Sequence, residues 1–207
     1  MHPLRRTAGT TLLKKAVPLS RYFVFIALAL GLCAADLQTK SLAFKRIGWP
    51  NPHIHWIWEG CFGFQTSVNE GGLFGLGQGF SLVLAGLSIC AAAGIIIWLF
   101  PFRAAKDWLL TIALGMITAG ILGNLYDRLG LHGLQYPTDY PGKLPGETVQ
   151  AVRDFIVMAQ IGDWHWPNYN IADCSLVGGA LLLAWQAFFT KKSETKPLVA
   201  SEDAGNS

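Results

Sequence analysis

The sequence comprises 207 residues, of which 52% are apolar and only 14% are charged. A water-soluble domain carries about 25% charged residues, so this composition excludes an ordinary soluble enzyme and a disordered chain. The net charge of +3 is too small to favour binding to nucleic acid, and we expect no such partner. Residues 71–102 and 108–126 contain no Asp, Glu, Lys or Arg. Since about 20 apolar residues cross a bilayer as a helix, the sequence predicts an integral membrane protein.

Four membrane-spanning helices are predicted, and the expected fold class is therefore an all-α membrane protein. The spans cover approximately residues 19–35, 80–100, 108–126 and 171–189. Pro101 ends the second span, because its ring cannot continue the helical hydrogen bonds. We interpret the first span as uncleaved rather than as a removed signal peptide, since three further spans follow it.

The basic residues predict the orientation of these spans. Ten of the 16 Lys and Arg residues fall in the N-terminal arm, the link between the second and third spans, and the C-terminal tail. Because cytoplasmic segments carry the excess of Lys and Arg, both termini are expected inside and both long connections outside. Residues 1–190 are expected to form one domain, and residues 191–207 a polar, disordered cytoplasmic tail.

The two outer connections differ in composition. Residues 61–68 are rich in aromatic and β-branched side chains, so a small β element is expected in the first outer loop. The second connection contains residues 136–146, where proline and glycine recur every few positions. This pattern predicts a turn-rich excursion at the surface.

Ionisable side chains cluster at the outer ends of the spans, where they are costly unless they serve a function. Asp36 follows 14 uncharged residues, about 21 Å of helix, and is expected to lie below the outer surface. Its partner is expected to be Lys40, one turn later, and a simple interfacial ion pair is the alternative to a role in a site. Asn124, Asp127 and Arg128 share one face of the third span by their spacing.

Two further aspartates complete the set. Asp154 lies in an apolar segment, residues 152–157, which we interpret as returning to the membrane. Asn170 and Asp173 begin the fourth span, where the helix dipole favours a carboxylate. When two carboxyls share a site, one stays protonated while the other is ionised. The ionised group can accept a proton from water and the neutral group can bind a carbonyl oxygen, which suits peptide hydrolysis.

Other catalytic and metal-binding patterns are absent from the sequence. It contains no HExxH motif, no GxSxG nucleophile elbow and no Cys/His spacing typical of zinc. We interpret the four cysteines as small apolar packing residues. No metal and no cofactor are therefore expected.

Five short motifs, in this order, resemble those of the lipoprotein signal peptidases (signal peptidase II), aspartic proteases of the bacterial cytoplasmic membrane. They are DLQTK (36–40), NEGGLFG (69–75), GILGNLYDR (120–128), VRDF (152–155) and YNIADCS (169–175). Each motif is modest alone, whereas five in order on a four-span frame are specific.

The resemblance implies that Asp154 and Asp173 are the catalytic pair of an endopeptidase whose active site faces outward. The implied substrate is a prolipoprotein, cut before a diacylglyceryl-modified cysteine, and membrane lipid is the other expected partner. A monomer is expected. The resemblance also implies supporting or substrate-binding roles for Asp36, Lys40, Asn69, Gly71, Asn124, Asp127, Arg128 and Asn170.

The sequence departs from the family in one place. Residues 129–153 separate Arg128 from Asp154, where the family usually has a short connection. Loop-closure entropy tolerates such an insertion at small cost, and its role stays open.

Two other classes of function compete with the peptidase. A small ion- or proton-coupled transporter could use the same acids. Against it, the acids lie at the outer edge of the spans and no repeat relates the two halves. A non-catalytic lipid-binding or assembly protein would need no carboxylate pair.

Overall fold

The computed structural model describes residues 16–71, 77, 79–162 and 164–190. The tail at residues 191–207 thus lies outside the described residues. Four long helices are present: α1 (Leu19–Ile47), α2 (Ser81–Leu99), α3 (Trp108–Arg128) and α4 (Ile171–Thr190). Each is long and apolar enough to cross a membrane, which confirms the prediction of four spans.

The first helix is longer than predicted. Helix α1 extends beyond the predicted end of the first span near residue 35: it continues to Ile47 and ends at Gly48, whose φ is +85°. The charges of Asp36 and Lys40 do not mark a helix end. Both side chains are buried on the face that also buries Phe44, at intervals of four residues.

Helix α3 is the centre of the helical bundle. Half of its spanning window is buried, against 17% for each of the other three spans. Glycines allow α4 to approach it closely: a Cβ at Gly179 would lie 2.6 Å from the Ala113 carbonyl oxygen, and one at Gly120 would clash with the Ala172 carbonyl oxygen. This close approach fixes where the first turn of α4 lies relative to α3.

A three-stranded antiparallel sheet lies beyond the helix ends. Its strands are β1 (His55–Trp58), β2 (Phe62–Asn69) and β3 (Val152–Met158), in the order β1-β2-β3. Strand β2 confirms the β element predicted at residues 61–68. Two short strands, β4 (Gln160–Ile161) and β5 (Trp164–His165), form a separate ribbon.

Residues 152–157, interpreted from the sequence as a segment returning to the membrane, form most of strand β3. Six of its seven residues are buried, and the strand pairs along β2 with Asp154 opposite Ser67. The backbone N–H groups of Phe155 and Ile156 both donate to the Tyr169 carbonyl oxygen, at 3.1 and 2.9 Å. The sheet is therefore connected directly to the residues that precede α4.

The excursion, defined here as residues 129–151, is partly buried. Its turn-rich tip is exposed, as predicted, and Leu144 there is 74% accessible. Its base is not a surface loop, since Tyr136 and Val149 are buried against Trp49 and Val68. Val152 and Arg153, which were predicted to belong to the insertion, form the start of β3.

We expect Gly120→Ala to lower the stability of the protein by about 1–3 kcal/mol, because its methyl group would push α4 away from α3. Gly86→Ala in α2 is the matched control, since no atom lies within 4 Å of a Cβ there. Thermal unfolding in detergent measures both variants. Equal melting temperatures for the two would contradict this account of helix packing.

Candidate active site

A lysine without access to solvent lies where α1 and α3 meet. Both Lys40 and Asp36 are 0% exposed, and the Lys40 Nζ lies 2.7 Å from Asp36 Oδ2. The same ammonium lies 3.1 Å from Asp127 Oδ2 and donates to Asn124 Oδ1 at 3.0 Å. The buried ammonium thus has one hydrogen bond and two carboxylates within 3.1 Å, so its charge is compensated. These two residues are not a simple interfacial ion pair.

Arg153 brings a second cation to Asp127. Its Nε and one terminal nitrogen donate to Asp127 Oδ1 at 3.1 and 2.8 Å, and its backbone N–H donates to Asp127 Oδ2 at 3.0 Å. The other terminal nitrogen donates to the Ser41 hydroxyl at 3.3 Å. Arg153 has no predicted role from the sequence. A basic residue inside an otherwise apolar run was the one available sign that it has a buried partner.

Asn170 precedes α4 and connects two aspartates. Its Oδ1 accepts from the Asp173 N–H at 2.9 Å, while Asp173 Oδ2 accepts from the Asn170 N–H at 3.2 Å. This reciprocal pattern is a capping box, which satisfies two otherwise unpaired donors at the helix start. The Asn170 Nδ2 donates to Asp154 Oδ1 at 2.7 Å. One amide side chain therefore holds Asp154 beside the first turn that carries Asp173.

Asn124 links the buried cations to Asp173. Its Oδ1 accepts from Lys40, and its Nδ2 donates to Asp173 Oδ1 at 2.9 Å. Asp36 provides a second link, since its Oδ1 accepts from the backbone N–H of Ala172 at 2.8 Å. The first turn of α4 is thus attached to both α1 and α3.

A cavity of about 900 Å³ lies over these groups. Asn124, Arg128, Asp154 and Asp173 are among the polar residues that line it, and α3 and α4 supply apolar walls. Large apolar side chains of α4 that line it include those of Leu176, Val177 and Leu181.

Arg128 lines this cavity where α3 ends and contacts the connection between α1 and α2. One terminal nitrogen donates to the Gly71 carbonyl oxygen at 3.1 Å, and the Gly71 N–H donates to Asn69 Oδ1 at 3.0 Å. Within the described chain, the buried Nε of Arg128 has no hydrogen-bond partner. Residues 72–75 of the NEGGLFG motif lie outside the described residues.

The buried cations are paired with carboxylates other than those of Asp154 and Asp173. Lys40 and Arg153 balance the charges of Asp36 and Asp127. Burial raises the pKa of Asp154 well above its ordinary value, and the neighbouring Asp173 carboxylate raises it further. The hydrogen bond from Asn170 and the Lys40 charge oppose this pKa rise without cancelling it. Such a pair favours one proton shared between two carboxyls.

The structure brings the predicted residues together, although they come from three helices and from the two long connections, α1 to α2 and α3 to α4. One connected network joins seven of them, and a separate contact joins Arg128 to the turn formed by Asn69 and Gly71. Within the described residues, no three His, Cys, Asp or Glu side chains are arranged to hold a metal ion. The network contains Asp36, Lys40, Asn124, Asp127, Asp154, Asn170 and Asp173.

The fold and this site define a multi-pass membrane protein with a carboxyl pair beneath an apolar cavity. A family model described as "Signal peptidase (SPase) II" matches residues 28–189. The lipoprotein signal peptidase of Rhodopirellula baltica is 49% identical over 174 residues, covering 84% of this chain and 75% of that protein. That of Aquifex aeolicus is 33% identical over 171 residues, covering 82% of this chain and 88% of the relative.

Two solved structures described as bacterial membrane enzymes share the fold. One has a TM-score of 0.64 at 21% identity, covering 84% of this chain and 94% of that chain. The other has a TM-score of 0.61 at 20% identity, covering 81% and 94%. The chain belongs to the signal peptidase II family, and it is an aspartic endopeptidase of that type.

Substituting Asp127, which pairs with Arg153, and Asp154, which does not, should have opposite effects on the stability of the protein. We expect Asp127→Asn to lower stability by about 3–5 kcal/mol, because it leaves Arg153 as a buried charge without its carboxylate. We expect Asp154→Asn to match or exceed the wild-type melting temperature at pH 7. A raised pKa in the folded state means that ionising Asp154 opposes folding, and this penalty grows as the pH rises from the ordinary pKa toward the raised one.

Thermal unfolding in one detergent at pH 5 and pH 7 measures both effects. The difference between Asp154→Asn and wild type should be smaller at pH 5, where more of the wild-type pair is protonated. Equal destabilisation by the two substitutions would contradict the assignment of Asp127 to the structural network and Asp154 to the cavity.

Proposed function

We propose that this endopeptidase removes the signal peptide from diacylglyceryl-modified prolipoproteins, cutting before the lipidated cysteine, and that Asp154 and Asp173 catalyse the cleavage. The observation that carries the proposal is the Asn170 side chain, which binds Asp154 and caps the helix turn bearing Asp173. The pair lines a cavity large enough for a peptide. The names of the relatives support the substrate class.

The proposed reaction uses one proton shared by the two carboxyls. The ionised carboxylate accepts a proton from water while the water oxygen bonds to the scissile carbonyl carbon. The neutral carboxyl donates its proton to the carbonyl oxygen, giving a tetrahedral intermediate. As this collapses, the peptide C–N bond breaks and the nitrogen of the lipidated cysteine takes up the proton of the neutral carboxyl. One hydroxyl of the intermediate returns its proton to the other carboxylate, which leaves the pair with one proton again. The products are a signal peptide with a new carboxylate and a lipoprotein with a free amine.

The walls of the cavity suit a lipidated substrate. The apolar side chains of α3 and α4 that line it would accept a hydrophobic signal helix or acyl chain arriving from the bilayer. Arg128 has a spare buried donor at the rim, which could bind a peptide or ester carbonyl. All of these groups belong to one chain, so we propose a monomer.

The proposed location is the bacterial cytoplasmic membrane, with the site on its outer face and both termini inside. Arg21, at the start of α1, donates to the carbonyl oxygens of Ala105 and Lys106 in the link between α2 and α3. These basic groups therefore lie at the end of the bundle opposite the site. The excess of Lys and Arg at that end supports its being cytoplasmic.

We expect Asp154→Asn and Asp173→Asn each to reduce kcat by at least about 10³-fold, because neither variant can both activate water and protonate the carbonyl oxygen. The assay follows release of the signal peptide from a lipidated precursor by purified enzyme. Asp139→Asn, an exposed change at the tip of the excursion, is the control and should retain full activity.

An unlipidated precursor provides the test of substrate class. Normal processing of the lipidated precursor by either active-site variant would overturn the proposed roles of the aspartates. Cleavage of the unlipidated precursor alone would overturn the proposed specificity. Solute transport by reconstituted protein, unaffected by both substitutions, would favour the transporter.

The pH profile of kcat/KM should be bell-shaped, since activity needs one protonated and one ionised carboxyl. The acid limb reports loss of the ionised form, and the alkaline limb reports loss of the remaining proton. Because burial and Asp173 raise the pKa of Asp154, the alkaline limb should lie above the ordinary aspartate pKa of about 3.9. Rates measured from pH 4 to 9 test this. A profile already falling at about pH 4 would contradict the shared proton.

A further inference from the structure

The excursion at residues 129–151 holds one acidic residue of the first outer connection. The Tyr136 hydroxyl donates to Glu70 Oε1 at 2.8 Å, and the Lys143 ammonium lies 2.6 Å from the same oxygen. The Glu70 and Lys143 side chains are 21% and 26% exposed. Burial alone would raise the pKa of Glu70, but the hydrogen bonds from Lys143 and Tyr136 outweigh it and lower that pKa. The contact is therefore a charge-assisted one, which is stronger than a neutral hydrogen bond.

The excursion side of this contact is firmly held. Tyr136 is only 3% exposed, and its ring lies 5.8 Å from that of Trp49 and 4.8 Å from that of Tyr140. Its N–H donates to the Glu147 carbonyl oxygen, and its own carbonyl accepts from the Gly146 N–H, both at 2.9 Å. Lys143 also lies over the Tyr136 ring, 5.1 Å from its centre. Tyr136 is thus a fixed support rather than a mobile loop residue.

The other side of the contact leads to the cavity. Glu70 is followed directly by Gly71, whose carbonyl oxygen accepts from Arg128 at 3.1 Å. Arg128 lines the cavity together with Asp154 and Asp173. Within the described residues, its guanidinium donates to Gly71 and to neither aspartate. The position of Arg128 at the rim therefore depends on where Gly71 is held.

We propose that Tyr136 and Lys143 are positioning residues for the cleavage reaction: they hold Glu70, and thereby keep the Gly71 carbonyl where it orients Arg128 at the rim of the cavity. This inference rests on the proposed function, and it gives the inserted excursion a role in substrate binding. Neither residue lines the cavity. Because Arg128 does not bond to the aspartates, the effect falls on binding of the substrate more than on the chemical step.

The test compares three substitutions that keep the size of each side chain: Lys143→Met, Tyr136→Phe and Glu70→Gln. For the first two we expect kcat/KM to fall about tenfold, less than the hundredfold that a misplacement of about 1 Å can cause. The fall should lie in KM, with kcat within about twofold of wild type. Glu70→Gln keeps the Tyr136 hydrogen bond and loses the charge, so its effect should match that of Lys143→Met.

Tyr140→Phe is the matched control for Tyr136→Phe. Its ring belongs to the same aromatic cluster, whereas its hydroxyl has no hydrogen-bond partner within the described part of the chain. We expect wild-type kcat and KM for this variant. A KM increase for Tyr140→Phe equal to that for Tyr136→Phe would show a general effect on packing and would overturn the inference.

Two combined variants separate positioning from loss of structure. Exchanging the charges, by Glu70→Lys with Lys143→Glu, should recover most of the KM lost in Lys143→Met. In an Arg128→Lys background, adding Lys143→Met should raise KM no further, because the contact it supports is already lost. A further tenfold rise there, or no recovery by the exchanged pair, would overturn the proposed path through Arg128.

The outcomes distinguish this inference from the proposed function. If wild-type protein cleaves the lipidated precursor and Asp154→Asn does not, while Lys143→Met and Tyr136→Phe keep wild-type KM, only the positioning role fails. If the wild-type protein cleaves no lipidated precursor, the proposed function fails and the positioning role with it. The variants with a changed KM should have melting temperatures near that of wild type. A KM change found only in variants with a lowered melting temperature would count against the inference.

Discussion

The structure depends on a buried ammonium that can exist only where two carboxylates meet. Lys40 is inaccessible to solvent and lies within 3.1 Å of both Asp36 and Asp127, which come from α1 and α3. Removing one partner would leave a charge unbalanced in a region of low dielectric constant. Because Asp36 also binds the backbone of Ala172, the same interaction fixes the start of α4. Three helices are therefore held in one relative arrangement at the level of the site.

The pairing of these charges explains why Asp154 and Asp173 differ in protonation from Asp36 and Asp127. Strand β3 presents neighbouring side chains to opposite faces, so Arg153 reaches Asp127 while Asp154 reaches Asn170 and the cavity. Arg153 and Lys40 are both engaged by structural carboxylates. Neither cation is therefore paired with Asp154 or Asp173, and burial favours keeping one proton on these two carboxyls. The network that stabilises the fold also creates the pair suited to acid–base chemistry.

Much of the fold was predictable from the sequence, because the apolar composition that favours a membrane-spanning helix is visible within a single stretch of about 20 residues. The four spans followed from uncharged runs, and the positions that share the site followed from spacing and from motif resemblance. The charges of Asp36 and Lys40 predict an end of the first span near residue 35, whereas the two residues compensate each other inside the bundle and α1 continues to Ile47. Strand β3 and the role of Arg153 depend on partners distant in sequence, β2 and Asp127, which no local pattern identifies.

The most direct test of the account is the protonation state of the aspartate pair, measured by infrared difference spectroscopy of carboxyl groups in wild type and in the Asp154→Asn and Asp173→Asn variants at pH 7. The account predicts one protonated carboxyl in the wild-type pair. This band should be lost in Asp154→Asn. In Asp173→Asn it should titrate at a lower pH than in the wild type, because burial still raises the pKa of Asp154 while the second carboxylate is gone. Two ionised carboxylates in the wild type, or a protonated band that persists in Asp154→Asn, would contradict it.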